Sequence, residues 1–369
     1  MEILKIVIIG AGIAGLATAL ALKDRGAEVL VVDKNGGLET RGAALTLWSN
    51  GTYACKKLHV LEEVLEHSAI LSKGNIYSSR GKQLESLPID YSTPTVGIPR
   101  YELLRILADR LSEGTIKWNK KIRCLTETEV EFEDGTSVEA DLVIAADGIH
   151  STVRSQFIHD SLRYSGYTSW RGIANTKLSS PYEGVMTQFW GNGVRFGFLP
   201  LIDGKTYWFM TANAKEKATE RDDVLKFIGS LPKPADAIFE GQDHSQIIHL
   251  DIYDRRPIPK WSFGNALLLG DSAHPMTPSL GQGACMALED AVIFSACYAS
   301  SKSIQQIYDE FEAIRIPRVN AVVQLSRRIG MVGQIQQPLL ARLRDRIYPL
   351  VPRKWKKRIW DELYGFIKI

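Results

Sequence analysis

The sequence predicts an α/β fold in which a parallel sheet layered with helices is interrupted by an inserted, mostly antiparallel β-sheet domain and closed by C-terminal helices. Three observations carry that expectation. The chain opens as strand, glycine-rich turn, helix and strand in LKIVIIGAGIAGLATALALKDRGAEVLVVDK. Its middle, residues 167–253, consists mostly of short β segments (RGIANTKL, GVMTQFWG, VRFGFLPL, KTYWFMTA) with Gly and Pro between them. NALLLGD then supplies a buried strand that returns to the first sheet, and two long helical patterns follow over 283–299 and 304–329. A plain alternation of helices and parallel strands would not turn antiparallel halfway, so the middle is a second unit set inside the first.

In the opening unit a β-type apolar run (6–9) meets Gly10, Gly12 and Gly15. That spacing meets three needs: a tight turn, room for backbone to approach a pyrophosphate, and close helix-to-strand packing. The helix that begins at Ile13 and Ala14 turns its positive end toward the phosphates. Asp33 ends the second strand, ahead of Lys34, and is placed to bond a ribose hydroxyl. This is a Rossmann-type dinucleotide site, and the unit alone does not choose between NAD and FAD.

Further on, EVEFEDGTSVEADLVIAADG (129–148) reads as a hairpin across Asp134-Gly135 and a buried strand that stops at Asp147-Gly148. Short helical segments are expected near 222–229 and 235–239. The last motif, GDSAHPMTPSLGQG, restricts its backbone at Pro275 and Pro278, then opens a helix on Gly281, Gln282 and Gly283.

Composition excludes several classes. The chain has 369 residues, 45% of them hydrophobic and 24% charged, which is ordinary globular usage and enough for two domains. Its four cysteines lie far apart, so neither a disulfide framework nor a zinc site is expected, and no metal. The start of the chain lacks a basic leader, no apolar run reaches membrane-spanning length, and a cytoplasmic setting is expected. Net charge is +3, yet residues 341–369 hold nine Lys/Arg and three Asp/Glu, so the basic character belongs to the tail. That tail is expected to pack its aromatics on the body and keep its cations wet, with contact to a membrane surface as the alternative. Nucleic-acid binding has little support.

GAGIAG with Asp33, ADGIHSTVR (146–154) and GDSAHPMTPSLGQG together resemble the FAD-dependent single-component aromatic hydroxylases, over residues 3–328. The resemblance implies a Rossmann-type FAD-binding domain of the three-layer ββα kind, with FAD as cofactor, NAD(P)H as transient electron donor and O2 as cosubstrate. One oxygen atom would enter a small, anionic aromatic or heteroaromatic substrate through a flavin hydroperoxide. By the same resemblance Asp271 bonds the ribityl chain, Pro278, Gly281, Gln282 and Gly283 lie against the flavin ring, and Arg100 in GIPRYELLRIL reaches the FAD. Asp147 and Arg154 would serve FAD and the passing nicotinamide nucleotide. RFGFLPLIDGKTY resembles the segment in which the urate hydroxylase branch carries its substrate-contacting residues, which makes Arg195 the partner of an anionic substrate and Tyr207 that of a polar ring atom.

Tyr167, Trp170, Phe189 and Phe198 are candidates for pocket or core, Cys285 for packing, and His274 for ordering its loop, with no second residue visible to set its tautomer. The expected division is a discontinuous FAD-binding domain (1–68, 98–165 and 256–330), a substrate-binding domain (69–97 and 166–255) and a basic aromatic tail (331–369). The expected assembly is a monomer or homodimer. Two other functions stay open: an epoxidase or oxidative-rearrangement enzyme for a larger apolar substrate, and a flavin-binding redox sensor without turnover.

Overall fold

A computed structural model describes residues 3–40 and 43–366. The opening strand, Lys5–Ile9, is buried at every residue but Lys5, as its run of β-branched side chains requires for a strand covered on both faces. It lies inside a six-stranded sheet ordered Ser262–Phe263, Ala266–Leu268, Leu142–Ala145, Lys5–Ile9, Glu28–Val32, Ile116–Lys117. All neighbours pair in parallel except the first two, which form a hairpin. Ile9 is level with both Val32 and Ala145, and Ala145 with Leu268. The three motifs and Asp33 therefore leave the sheet along one edge, at the carboxyl ends of the strands, where ligands bind in open α/β sheets.

The hairpin across Asp134-Gly135 forms as expected and joins Ile122–Leu125 in a three-stranded antiparallel sheet that shares the large core. Helices Ile13–Leu22 and Gly283–Ser300 lie against each other, with Ser295 Oγ donating to the Ala21 carbonyl at 2.7 Å.

The second large sheet has seven strands: Ile248–Asp254, Arg163–Ala174, Thr206–Asn213, Val194–Pro200, Val185–Trp190, Lys73–Ser78, Gln83–Pro88. Its pairings are antiparallel apart from Val185–Trp190 with Lys73–Ser78. Side chains alternate across it with period two. Trp208, Met210, Phe196, Phe198 and Trp170 share a separate apolar core with Phe239, and Tyr207, Phe209, Thr211 and Arg195 point the other way.

The long helix, Ile304–Gly333, runs four residues past the expected end, and two shorter helices, Pro338–Ile347 and Arg353–Tyr364, complete the tail. The last one is docked. Tyr364 stacks on Trp48 with centroids 4.1 Å apart, Trp360 stacks on Tyr364, and the Arg318 guanidinium donates to the carbonyls of Glu362 (2.8 Å) and Gly365 (2.9 Å). Among the described residues no helix is long and apolar enough to cross a membrane.

Candidate functional site

The first glycine turn is built by sterics. Gly10 has φ +106°, and a Cβ there would stand 2.4 Å from the Ala146 carbonyl oxygen. At Gly15 a Cβ would stand 1.9 Å from the Gly10 oxygen, so this residue sets how closely helix and strand approach. Gly12 differs: among the described residues nothing lies within 4 Å of its missing Cβ. The first two close the turn, and the third leaves a space. Asp33 steadies this turn, since one carboxylate oxygen accepts from the Ala11 amide at 2.7 Å and the other from the Asn35 amide at 2.8 Å. Ala14 is buried where a Cβ at Gly270 would meet it at 2.8 Å, so the first and third motifs touch. Ile13 is half-buried and Lys34 exposed.

At the second motif, Asp147 Oδ2 accepts from the Thr152 amide at 2.8 Å, and Oδ1 is buried with no hydrogen-bond partner among the described residues. Burial raises the pKa of this carboxyl, against the bonds from Ser151 and the Thr152 amide. Arg154 corrects the expectation. Its guanidinium is wholly buried, donating to the carbonyls of Ser272 and Ala273 at 2.8 Å each and forming a two-point pair with Asp160. It ties the second motif to the third and presents nothing to a ligand.

In the third motif Gly270 (φ +59°) and Gly281 (φ +63°) turn the chain. Among the described residues the helix from Gly283 has no side-chain cap at its start, and nothing lies within 4 Å of a Cβ built at Gly283. Its first amides and its positive end therefore face open space. Asp271 is exposed within this space, but its depth raises its pKa, opposed by His274 and Arg100. Arg100 opens the helix Arg100–Asp109, with burial lowering its pKa against the pull of Glu39 and Asp271. Gln282 is buried, its side-chain carbonyl accepting from Asn50 at 2.9 Å.

His274 does have a partner. Its Nε2 lies 2.7 Å from Asp290 Oδ2, and Asp290 pairs in turn with Arg315, which with Arg318 also holds Glu289. A buried carboxylate fixes the tautomer, with Nε2–H donating. This network underpins the third motif and continues, through Arg318, to the docked tail.

A cavity of about 330 Å³ lies between the third motif and the free face of the seven-stranded sheet. Asp271, Pro278, Gly281 and Gly283 line one side; Arg171, Arg195, Tyr207 and Phe209 line the other. Register places the latter: Arg195 is level with Thr211, Gly197 with Phe209, and Leu199 with Tyr207. A Cβ at Gly197 would stand 2.5 Å from the Phe209 ring, so that glycine makes room for it. Arg195 is 2% exposed, and among the described residues its guanidinium makes only long contacts, to Thr211 Oγ1 (3.5 Å) and Ser279 Oγ (3.4 Å), with no carboxylate in ion-pair range. Burial lowers its pKa, against a smaller opposing effect of Tyr167. Burial also raises the Tyr207 phenol, with Arg171 opposing, so Tyr207 stays a hydrogen-bond donor.

Trp170, Phe189 and Phe198 belong to the core behind the sheet, and Tyr167 is buried, its hydroxyl without a partner. The sequence did not point to the third wall, made by Tyr348, Trp360 and Tyr364 of the tail. The i, i+4 spacing of the last two was the available signal.

The chain matches a family model described as an FAD binding domain over residues 4–326. It is 33% identical to an aurachin C monooxygenase/isomerase of Stigmatella aurantiaca (93% of each chain) and 30% identical to an FAD-dependent urate hydroxylase of Klebsiella pneumoniae (88% of this chain, 89% of the relative). It belongs to the FAD-dependent monooxygenase family. The fold agrees with a solved family structure, Klebsiella pneumoniae HpxO complexed with FAD and uric acid, at TM-score 0.87 and 26% identity, over 98% of this chain and 96% of that one. For a member of this monooxygenase family, the fit of FAD turns on whether its place is open. The empty spaces at Gly12 and Gly283, the uncapped helix start and the orphaned Asp147 oxygen are what such a group would fill.

Proposed function

We propose that this FAD-dependent monooxygenase hydroxylates a small anionic aromatic or heteroaromatic ring, consuming NAD(P)H and O2. The observation that carries the proposal is Arg195, a buried cation facing a cavity with no carboxylate among the described residues to balance it. An unpaired buried charge is costly, and the missing counter-ion is then the substrate's own. Arg171, whose Nε is buried without a hydrogen-bond partner among the described residues, adds a second cation to the same wall.

FAD, when bound, supplies electron transfer from NAD(P)H and the activation of O2. This chain's residues do the rest. Gly10, Gly12 and Gly15, with Ile13, Ala14, Asp33 and Lys34 around them, would hold the adenosine half. Asp147, Asp271 and Arg100 would hold the middle of FAD. Pro278, Gly281, Gln282 and Gly283 would hold the ring end of FAD, where the helix start would offer about half a positive charge to the group. Arg195 and Tyr207 would orient the substrate, and the apolar cavity would exclude water. In this reading residues 1–68, 98–165 and 256–330 bind cofactor, and 69–97 and 166–255 bind substrate. An apolar epoxidation substrate would leave Arg195 unpaired, which disfavours that alternative. The test is a panel of urate, salicylate, hydroxybenzoates and quinolones, scored by NAD(P)H depletion and by isotopic oxygen from labelled O2 in the product. Fast oxidation and labelled product are expected only with ring anions; turnover of neutral apolar compounds alone overturns the proposal.

A further inference from the structure

We propose that the two tail helices form a docking surface for an anionic lipid bilayer. Among the described residues, more than half of the exposed large apolar side chains lie in residues 331–359, less than a tenth of the chain. On Pro338–Ile347 they follow helical spacing: Leu339, Leu343 and Ile347 are 66%, 50% and 51% exposed, one turn apart on one face. Trp355 and Ile359 repeat the pattern on Arg353–Tyr364, and Leu350 between the helices is exposed as well. Exposed apolar groupings of this kind mark interaction sites.

The stripe is not a failure of docking. Opposite faces of the same helices are tightly held: Arg344 is buried and donates to the Gly333 and Trp190 carbonyls, Lys356 lies 2.6 Å from Glu85, and Trp360 and Tyr364 stack inward. The tail is a fixed element with apolar side chains turned out.

Charge selects the occupant. Arg342 and Arg346 border the first stripe, and Arg353 and Lys354 begin the second helix; all four are exposed and none has an ion-pair partner among the described residues. A second copy docking by two-fold symmetry would bring two copies of this basic patch together. An anionic bilayer supplies the opposite charge, and accepts leucine, isoleucine and tryptophan at its interface. The inner side of the same element, through Tyr348 and Trp360, walls the cavity, so docking would bring that cavity next to the lipid. This surface stands whichever ring the cavity takes.

The test is sedimentation of the FAD-loaded full chain with vesicles of phosphatidylethanolamine and phosphatidylglycerol, against vesicles of phosphatidylcholine. Wild type is expected to partition onto the anionic vesicles, less at high salt. Leu343→Ser with Ile347→Ser, and separately Arg342→Glu with Arg346→Glu, are each expected to weaken this by about ten-fold or more, with flavin content and far-UV dichroism unchanged. Wild type that stays in solution with anionic vesicles at low salt, or variants that bind as wild type does, overturns the proposal. So does a wild-type dimer that the serine pair turns to monomer without any vesicle binding, since the stripe would then join copies of the chain.

Discussion

Replacing Arg195 with methionine is expected to stabilise the apo enzyme and weaken substrate capture together. Arg195 is 2% exposed, and the two side-chain contacts of its guanidinium, at 3.5 and 3.4 Å, are long. Methionine keeps much of the stem's packing and removes a buried charge without a counter-ion, a change worth roughly 1–4 kcal/mol in favour of the folded state. For a large domain each kcal/mol shifts Tm by about 2–4 °C or less. The sign across pH follows from the lowered pKa. The folded state holds this proton less tightly than the unfolded chain does, so the cost is fully present at neutral pH and eases only as pH climbs toward the guanidinium range. The gain should therefore be flat through neutrality. On the binding side, a charge-assisted hydrogen bond is worth about 1.5–3 kcal/mol, so KM for an anionic ring should rise roughly ten- to a hundred-fold with kcat little changed. Thermal melts of the apo protein and steady-state NAD(P)H oxidation read the two effects. A lower Tm with unchanged KM would show that the guanidinium is satisfied inside the protein, and would remove the case for an anionic substrate.

Gly12→Val should melt within about 1 kcal/mol of wild type as apo protein, because its Cβ enters open space at φ −83°, but should bind no flavin; full yellow absorbance would refute the placement. Gly15→Val, with its Cβ 1.9 Å from the Gly10 oxygen, should instead fail to fold, as dichroism would show. Burial alone would raise the pKa of Glu289, but Arg315 and Arg318 overcome it and hold the carboxyl below its ordinary range. That stability is present above the unfolded carboxylate pKa of about 4.3 and is lost as pH falls through the lower folded value. Glu289→Gln should cost about 3–5 kcal/mol at pH 7 and flatten the acid limb of a stability–pH curve; an unaltered limb would show that other carboxylates set it. Tyr364→Ala, emptying the space between Trp48 and Trp360, should lower stability by about 3–5 kcal/mol in urea melts, and a loss under about 1 kcal/mol would mean the tail is not an integral wall.

The parts of the site that could be read in advance are those set by neighbours in the chain. Gly10 and Gly15 are legible because any side chain there collides with backbone a few residues away or across one strand. The role of Arg154 and the partner of His274 were not legible, although both residues lie inside recognised motifs and His274 was read as ordering its loop. The partners that settle their roles are the Ser272 and Ala273 carbonyls for one, and Asp290 for the other. Asp290 faces His274 only because the intervening loop folds back on the helix from Gly283. The tail shows the same limit: its charge and aromatics were plain, yet Trp360 and Tyr364 face a cavity whose other walls are formed by residues far upstream.

By itself, then, the sequence determined the opening strand–turn–helix unit, the inserted antiparallel sheet and the order of the three motifs, since these follow from φ/ψ sterics and from side-chain periods of two and 3.6. Tertiary structure alone decided which motif residues face open space, that no carboxylate among the described residues pairs with Arg195, and that the last helix helps wall the cavity. Those outcomes depend on strand register and helix docking, which are fixed by burial between segments hundreds of residues apart, and no local pattern encodes them.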